Sequence, residues 1–389
     1  MTKFHKHSSR IFSVVSNSAK QMSGQVISLL LSVYVVRFYS KLLWGDFVSC
    51  LLFVSIALLF VSWGNKDFLL RAFSKTPSKM THDFYVVFNT RLVLFVPVIA
   101  VVLFAFPIQQ SSYIMGWIAA GYVAQSLEVF WIYKRNYLSS IAIEVVSFLL
   151  LMLLLYFDQE LQLAGLIKWY CCYQWFRSAL YAGLSFKEIK NINFKIDWLF
   201  FGTAVSFFLL SASGFLQSRT DFLVITLFEK SENIAIYQVL NTYFILIHAI
   251  GTFIILPFMK NLYRLQVHSM EKIQRQLVFA APFIVTLSLS ILYLIIRFIY
   301  HFNLDFGYYL IGFFITFPPY LYAVKIIRLF RENRQKVVLS TSFKAIAINS
   351  FFSFALLHFG YGLKGALIGA AIAQIFTAFQ YLKLTPFEK

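Results

Sequence analysis

The chain is short of charge. Of its 389 residues only 13% are Asp, Glu, Lys or Arg, about half the share of a soluble domain. Cysteine is scarce as well. There are three, and Cys171 and Cys172 sit side by side in an apolar run, which argues against a disulfide framework or a thiolate metal site. No GxxxxGK[ST] loop is present to cradle phosphates, so direct ATP hydrolysis is not expected. HExxH is missing, and Cys and His never gather at ligand spacing, so neither a bound metal nor another cofactor is expected. The connections between apolar runs are too short to hold a soluble catalytic domain.

What fills the chain instead is apolar surface. Residues are 60% hydrophobic and the mean hydropathy is +0.73. Apolar runs of about 20 residues, enough to cross a bilayer as helix, recur from end to end. The pattern reads as an all-α polytopic membrane protein. Twelve helices are expected near 11–38, 45–63, 84–107, 112–133, 138–157, 161–184, 196–218, 233–258, 277–299, 306–329, 337–358 and 362–384. The first run lacks a small-residue cleavage site and is read as a retained helix.

The net charge of +18 is spread over alternate connections. One set carries Lys3, Lys6 and Arg10, then Lys66, Arg71, Lys75 and Lys79, and so on to Arg331, Arg334, Lys336 and Lys383. The other set carries Asp46, Asp158, Glu160, Glu229, Glu232 and Asp305 with few cations. The positive-inside rule then puts both termini in the cytoplasm. With no compact basic domain, this spread gives no sign of a nucleic-acid partner.

Several helices collect their polar residues on one side. From Trp198 to Asp221, the residues Thr203, Ser206, Ser213, Gly214, Gln217 and Asp221 fall within about 120° at 100° per residue. On the first helix Ser13, Asn17, Lys20, Gln21, Gly24, Gln25, Ser28 and Ser32 share about 140°. On the eighth, Gln238, Asn241, Thr242, His248 and Thr252 share about 120°. A lipid-facing helix has no reason for such an arc, whereas a helix lining a wet path does. Close helix packing through Ser and Gly, or hydrogen bonds between helices, would use the same residues. Glu128, Glu144, Lys168 and Arg177 are further charges within helices of the first half. They are expected to pair, the two acids with Arg177 and Lys168, as structural glue.

The chain also reads as two tandem halves, 1–190 and 191–389. Each opens with a polar-faced helix followed by a short connection. After it comes Trp44-Gly45-Asp46-Phe47 in the first half and Ile234-Ala235-Ile236-Tyr237 in the second. Six helices separate the equivalents, so the halves share an orientation, as in a parallel repeat. The stretch from Ser185 to Asp197 would join them.

Four passages resemble oligosaccharide flippases of the polysaccharide-biosynthesis, O-antigen flippase-like group, within the multidrug/oligosaccharidyl-lipid/polysaccharide exporter superfamily. They are Arg37-Phe38-Tyr39-Ser40 with Trp44-Gly45-Asp46-Phe47; Trp63-Gly64 through Asp67-Phe68-Leu69-Leu70-Arg71; Ser218-Arg219-Thr220-Asp221 with Ile234-Ala235-Ile236-Tyr237; and Tyr361-Gly362-Leu363-Lys364-Gly365-Ala366. The resemblance implies two six-helix lobes around a central cavity, alternating access and no enzymatic step. It implies a polyprenyl-diphosphate-linked oligosaccharide as substrate, moved from the cytoplasmic to the outer face of a bacterial inner membrane. Membrane lipids and polysaccharide-assembly proteins would be its partners.

An anionic head crossing about 30 Å of hydrocarbon needs a polar path. Lys20, Arg37 and Arg71 are the cations expected along it, with Asn17, Gln21, Gln25, Gln217, Gln238, Asn241 and His248 as polar wall. Snorkelling to headgroups is the competing use of the cations. Asp221 is read as a cavity carboxylate for a coupling ion, sodium or proton, or for closing an outer gate. Arg219, about 200° away from it, is read as an anchor for the helix end. A cation-coupled drug exporter of the same superfamily would favour acidic groups, and Asp221 keeps that reading open. A polysaccharide polymerase would need a large outer loop, which the sequence lacks.

Overall fold

A computed structural model describes residues 2–186, 194–255 and 267–384. Residues 187–193 of the expected linker, the cations Lys260 and Arg264, and the side chains of Lys3, Lys6, Arg10, Ser13 and Thr252 lie outside the described residues.

The described chain is helical almost throughout, with no strand. In order come α1 (Thr2–Phe38), α2 (Lys41–Ser62), α3 (Asn65–Lys75), α4 (Met80–Arg91), α5 (Phe95–Ala105), α6 (Ile108–Tyr133), α7 (Tyr137–Phe157) and α8 (Leu163–Leu184). There follow α9 (Leu199–Phe228), α10 (Ser231–Ile255), α11 (Val267–Leu294), α12 (Phe306–Thr316), α13 (Pro318–Arg331), α14 (Gln335–His358) and α15 (Gly362–Lys383).

Among the described residues ten helical segments are long and apolar enough to cross a membrane. Two further expected crossings coincide with α6 and α8. At 26 and 22 residues these span about 39 and 33 Å, so both reach across a bilayer core. They fall below the hydropathy of the other ten because they carry Glu128, Lys168, Arg177 and several amides. The chain is a multi-pass α-helical membrane protein, and among the described residues ten helices pass on length and hydropathy and α6 and α8 on length.

Some expected boundaries move. Helix seven does not end at Ser218: α9 continues to Phe228. The apolar run Phe222-Leu223-Val224-Ile225 carries it on, and the Thr220 hydroxyl folds back onto the Leu216 carbonyl at 2.6 Å. Arg219 and Asp221 therefore lie inside a membrane helix and not at its end. After α2 an extra helix appears. Trp63 and Gly64 adopt positive φ, 42° and 69°, turning the chain into α3. That short helix buries Asn65, Leu69 and Phe73, spaced four apart, and leaves Arg71 exposed. Glycine is required at 64 for space as well as for φ, because a Cβ would meet the backbone nitrogen of Phe208 at 2.6 Å.

The chain divides into two compact units, one of residues 19–27 and 46–212, the other of residues 1–18, 28–45 and 213–389. The first has a core built on Leu69, Phe73, Phe84, Phe130, Tyr181 and Phe200. Trp63 is tied into it, stacking on Phe208 at 4.3 Å and donating its indole N–H to the Phe201 carbonyl at 3.1 Å. In the second, α14 and α15 pack closely through the small-residue pair Gly365 and Gly369 four apart, a spacing that lets helix backbones approach. A Cβ at Gly369 would lie 2.6 Å from the backbone nitrogen of Ser353.

Candidate functional site

The densest chemistry in the 19–27/46–212 unit is a buried cluster of four charges. The Lys20 ammonium lies 2.9 Å from Glu128 Oε1 and 3.0 Å from Glu144 Oε1. Arg177 Nη2 lies 2.7 Å from the same Glu144 oxygen and 3.8 Å from Glu128 Oε2. Side-chain exposure runs from 4% at Glu144 to 17% at Glu128. Tyr173 donates its hydroxyl to Glu144 Oε2 at 3.4 Å, and Arg177 donates to Gln174 at 3.3 Å.

Helical spacing aims these groups. Glu144 shares the buried face of α7 with Ser147, Leu151 and Leu155. On α8 the buried Gln174, Ser178 and Tyr181 bracket Arg177, and α6 supplies Glu128. An isolated lysine at mid-membrane costs about 2.5–3.5 kcal/mol. Here two acids and two bases sum to zero charge, which removes most of that cost.

Glu128, Glu144 and Arg177 thus come together, but two of the expected assignments change. Lys20 takes the place expected of Lys168, whose ammonium instead lies over the Trp169 ring at 4.5 Å on an exposed part of α8. Lys20 is in turn held by two carboxylates and is not a free cation for an anionic head. Its neighbours on the α1 arc stay less buried: Asn17 and Gln25 are half-buried and Gln21 is exposed. Arg71 is exposed on α3, and Arg37, also exposed, bonds His301.

In the other unit a second polar site centres on Asp221, which is 4% exposed. The Tyr237 hydroxyl donates to Asp221 Oδ2. The Asn349 amide donates to Oδ1 at 3.4 Å. The Ser353 hydroxyl shares its one proton between Asn349 Oδ1 at 2.9 Å and the Ala366 carbonyl at 3.2 Å. Among the described residues no lysine, arginine or histidine forms an ion pair with this carboxylate. Arg219 faces elsewhere, its guanidinium 6.0 Å over the Phe222 ring.

The amide residues of α10 are largely engaged. Gln238 accepts from the Trp44 indole at 3.1 Å and donates to Ser28 at 3.3 Å and Thr242 at 3.1 Å. Asn241 donates to the Ser218 carbonyl at 3.4 Å. Gln217 is half-buried and His248 is exposed.

Three residues escaped the sequence reading. Asn349 and Ser353, one turn apart on α14, complete the Asp221 site. A lone amide within Ala-Ile-Asn-Ser-Phe-Phe was the available signal, since such groups are rare in lipid without a partner. Arg91 is 1% exposed, donating to Ser126 at 2.8 Å and lying 4.7 Å from the Tyr122 ring centre. It lies within the expected helix 84–107.

No family model matches the sequence, and no curated protein matches it. Solved structures do. One titled lipid II flippase MurJ, inward closed conformation, superposes with a TM-score of 0.70 at 13% identity, covering 95% of this chain and 87% of that one. A mutant of the Vibrio cholerae MATE transporter VcmN superposes with a TM-score of 0.59 at 13% identity, covering 98% of each. At such identity the likeness is one of architecture, and it runs nearly the full length: this chain has the fold of the lipid flippase and MATE transporters.

Proposed function

We propose that the protein is a flippase for lipid-linked oligosaccharide. It would move a polyprenyl-diphosphate-linked glycan from the cytoplasmic to the outer face of a bacterial inner membrane by alternating access, in cell-surface polysaccharide synthesis. The observation that carries this reading is the fold shared over 95% of the chain with a protein titled lipid II flippase. The four sequence passages quoted above point the same way. Both termini are cytoplasmic in this reading, the chain is a carrier and not an enzyme, and polysaccharide-assembly proteins are its neighbours. The 1–190 and 191–389 halves are proposed as the two repeats.

Asp221 is the proposed coupling residue. A carboxylate buried in a membrane helix, held by a hydroxyl and an amide and in no ion pair among the described residues, suits binding of a sodium ion or proton. With Lys20 neutralised, Arg37 and Arg71 are the proposed cations for the diphosphate, and Asn17, Gln21, Gln25, Gln217 and His248 the polar contacts. A cation-coupled drug exporter is the second reading, favoured by the same Asp221 and by the likeness to the MATE transporter. Depletion in the native cell separates the two. Accumulation of a lipid-linked sugar supports the flippase; hypersensitivity to organic cations with no such accumulation supports the exporter.

A further inference from the structure

The Lys20 ammonium stands between two carboxylates as a small cation would. Its nitrogen is nearly equidistant from Glu128 Oε1 and Glu144 Oε1, at 2.9 and 3.0 Å, and its side chain is only 11% exposed. The two oxygens come from α6 and α7 and the ammonium from α1, so the charge ties three helices together. The cluster is also not closed by its own hydrogen bonds. Arg177 Nε and the hydroxyl of Tyr181, a residue with no exposed surface, have no hydrogen-bond partner among the described residues. The Tyr181 ring lies 5.8 Å from the Arg177 guanidinium carbon. Of the two groups, the Tyr181 oxygen can accept and so is a spare ligand atom beside the four ion-pair contacts, whereas Arg177 Nε can only donate.

Charge balance gives Lys20 its meaning. With it, two acids face two bases. Without it, Glu128 and Glu144 share only Arg177, and a buried site carries one uncompensated negative charge. Such a charge is costly in low dielectric and must be met by a proton or a cation. We propose that Lys20 is a resident cation: its tethered ammonium occupies a two-carboxylate site for a small monovalent ion, so that the 19–27/46–212 unit keeps its charge balance without taking up a free one. Removing the amine should turn the site into a real cation site. An ammonium is closer in size to potassium than to sodium, so potassium is the better-fitting probe. On this view any free coupling ion belongs at Asp221, in the other unit. That last consequence rests on the transport reading; the site itself does not.

The experiment uses the full chain purified in detergent at pH 8. Thermal unfolding of wild type, Lys20→Met, Glu128→Gln and Lys20→Met/Glu128→Gln is followed in potassium, sodium or N-methyl-D-glucamine chloride at constant ionic strength. Other charged or titratable groups acting on the carboxylates, namely Lys66 on α3 with Tyr170, Tyr173 and Tyr181 on α8, are left unchanged. Wild type should melt at the same temperature in all three salts. Lys20→Met should melt several degrees lower in N-methyl-D-glucamine and recover saturably with potassium or sodium, as a ligand bound to the folded state requires. At pH 5 the recovery should shrink as protons replace the ion. The double variant restores the balance of one acid and one base and should lose the cation response.

A Lys20→Met protein that folds and shows no preference for small cations overturns the proposal. So does one that fails to fold in every salt while the double variant folds. A wild type stabilised by small cations and made indifferent by Glu128→Gln overturns it too, since that would place a free ion beside Lys20. No substrate is present, so failure here leaves the flippase reading standing, and failure of that reading leaves this one.

Discussion

The Trp44 indole donates to the amide oxygen of Gln238 at 3.1 Å. The nitrogen of that amide is shared between Ser28 and Thr242. One buried glutamine thus joins α1, the start of α2 and α10. Gln238→Ala should lower stability by about 1 kcal/mol, the usual scale for hydrogen bonds between membrane helices, through loss of the indole's acceptor. Thermal melting in detergent measures it. Transport per folded molecule should stay near wild type; a loss of transport at unchanged stability would instead give Gln238 a place against the substrate.

Gly369 tests the packing of α14 on α15. An alanine Cβ would run into Ser353 Oγ and lie 2.6 Å from the Ser353 backbone nitrogen. Gly369→Ala should cost about 1–3 kcal/mol by overpacking and should disturb the Ser353–Asn349–Asp221 chain. Gly24, whose added Cβ would meet nothing within 4 Å, is the control. Gly24→Ala should be neutral or stabilising by about 0.5–1 kcal/mol, as for a glycine inside a helix. Equal melting shifts for the two variants would contradict the described contact.

Asp221→Asn separates charge from packing at the second polar site. The amide keeps an oxygen for the Tyr237 hydroxyl. We expect transport to fall and its dependence on pH or sodium to change. Arg219→Gln should mainly lower the yield of folded protein. An Asp221→Asn protein that transports at the wild-type rate across pH and sodium concentration would remove the coupling role.

Asp305 and Lys364 form an ion pair at 2.6 Å. The hydrogen bond from Lys364 holds the Asp305 carboxyl below its ordinary range. Any stability it contributes is present above the unfolded-state pKa of an aspartate, about 3.9, and is lost as pH falls through the lower folded value. Both side chains are exposed, 58% at Asp305 and 40% at Lys364, so the effect is small and screened by salt. Asp305→Asn should flatten the melting temperature below about pH 4 at low ionic strength and change nothing at neutral pH. An unchanged acid limb in the variant would show that the pair is silent.

The topology is testable at two exposed turns. Glu160 and Asn333 lie in the α7–α8 and α13–α14 connections and are both exposed. A cysteine at 160, in a cysteine-free background, should react with a membrane-impermeant reagent in intact cells, and one at 333 should be spared. The reverse pattern would invert the assignment of the termini.

Much of the architecture was legible because lipid leaves the backbone few choices. Apolar runs announced ten of the crossings. The polar interruptions in α6 and α8 still left enough length to recognise the other two. The extension of α9 past Ser218 was hidden because Arg219 and Asp221 look like a loop when burial is unknown. Helical phase placed Lys20, Gln21 and Gln25 on one face, but phase cannot say which helix lies opposite. For that reason the partners of Glu128 and Glu144 were half right: Arg177 is there, Lys168 is not, and Lys20 arrives from a helix more than 100 positions earlier. The Asp221 site was half visible for the same reason. Its carboxylate stood out, whereas Asn349 and Ser353 came from α14, among phenylalanines.

The most direct test of the central claim is transbilayer movement in vesicles containing only the purified protein. A polyprenyl-diphosphate-linked oligosaccharide is placed in both leaflets, and an impermeant sugar-binding or sugar-cleaving probe counts the molecules exposed outside. The inner-leaflet pool should become accessible in vesicles holding the protein and stay protected in empty ones, with Asp221→Asn slowing the exchange. An inner pool that stays protected in protein-containing vesicles, while the same vesicles exchange protons or sodium for small organic cations, would contradict the flippase and leave the exporter.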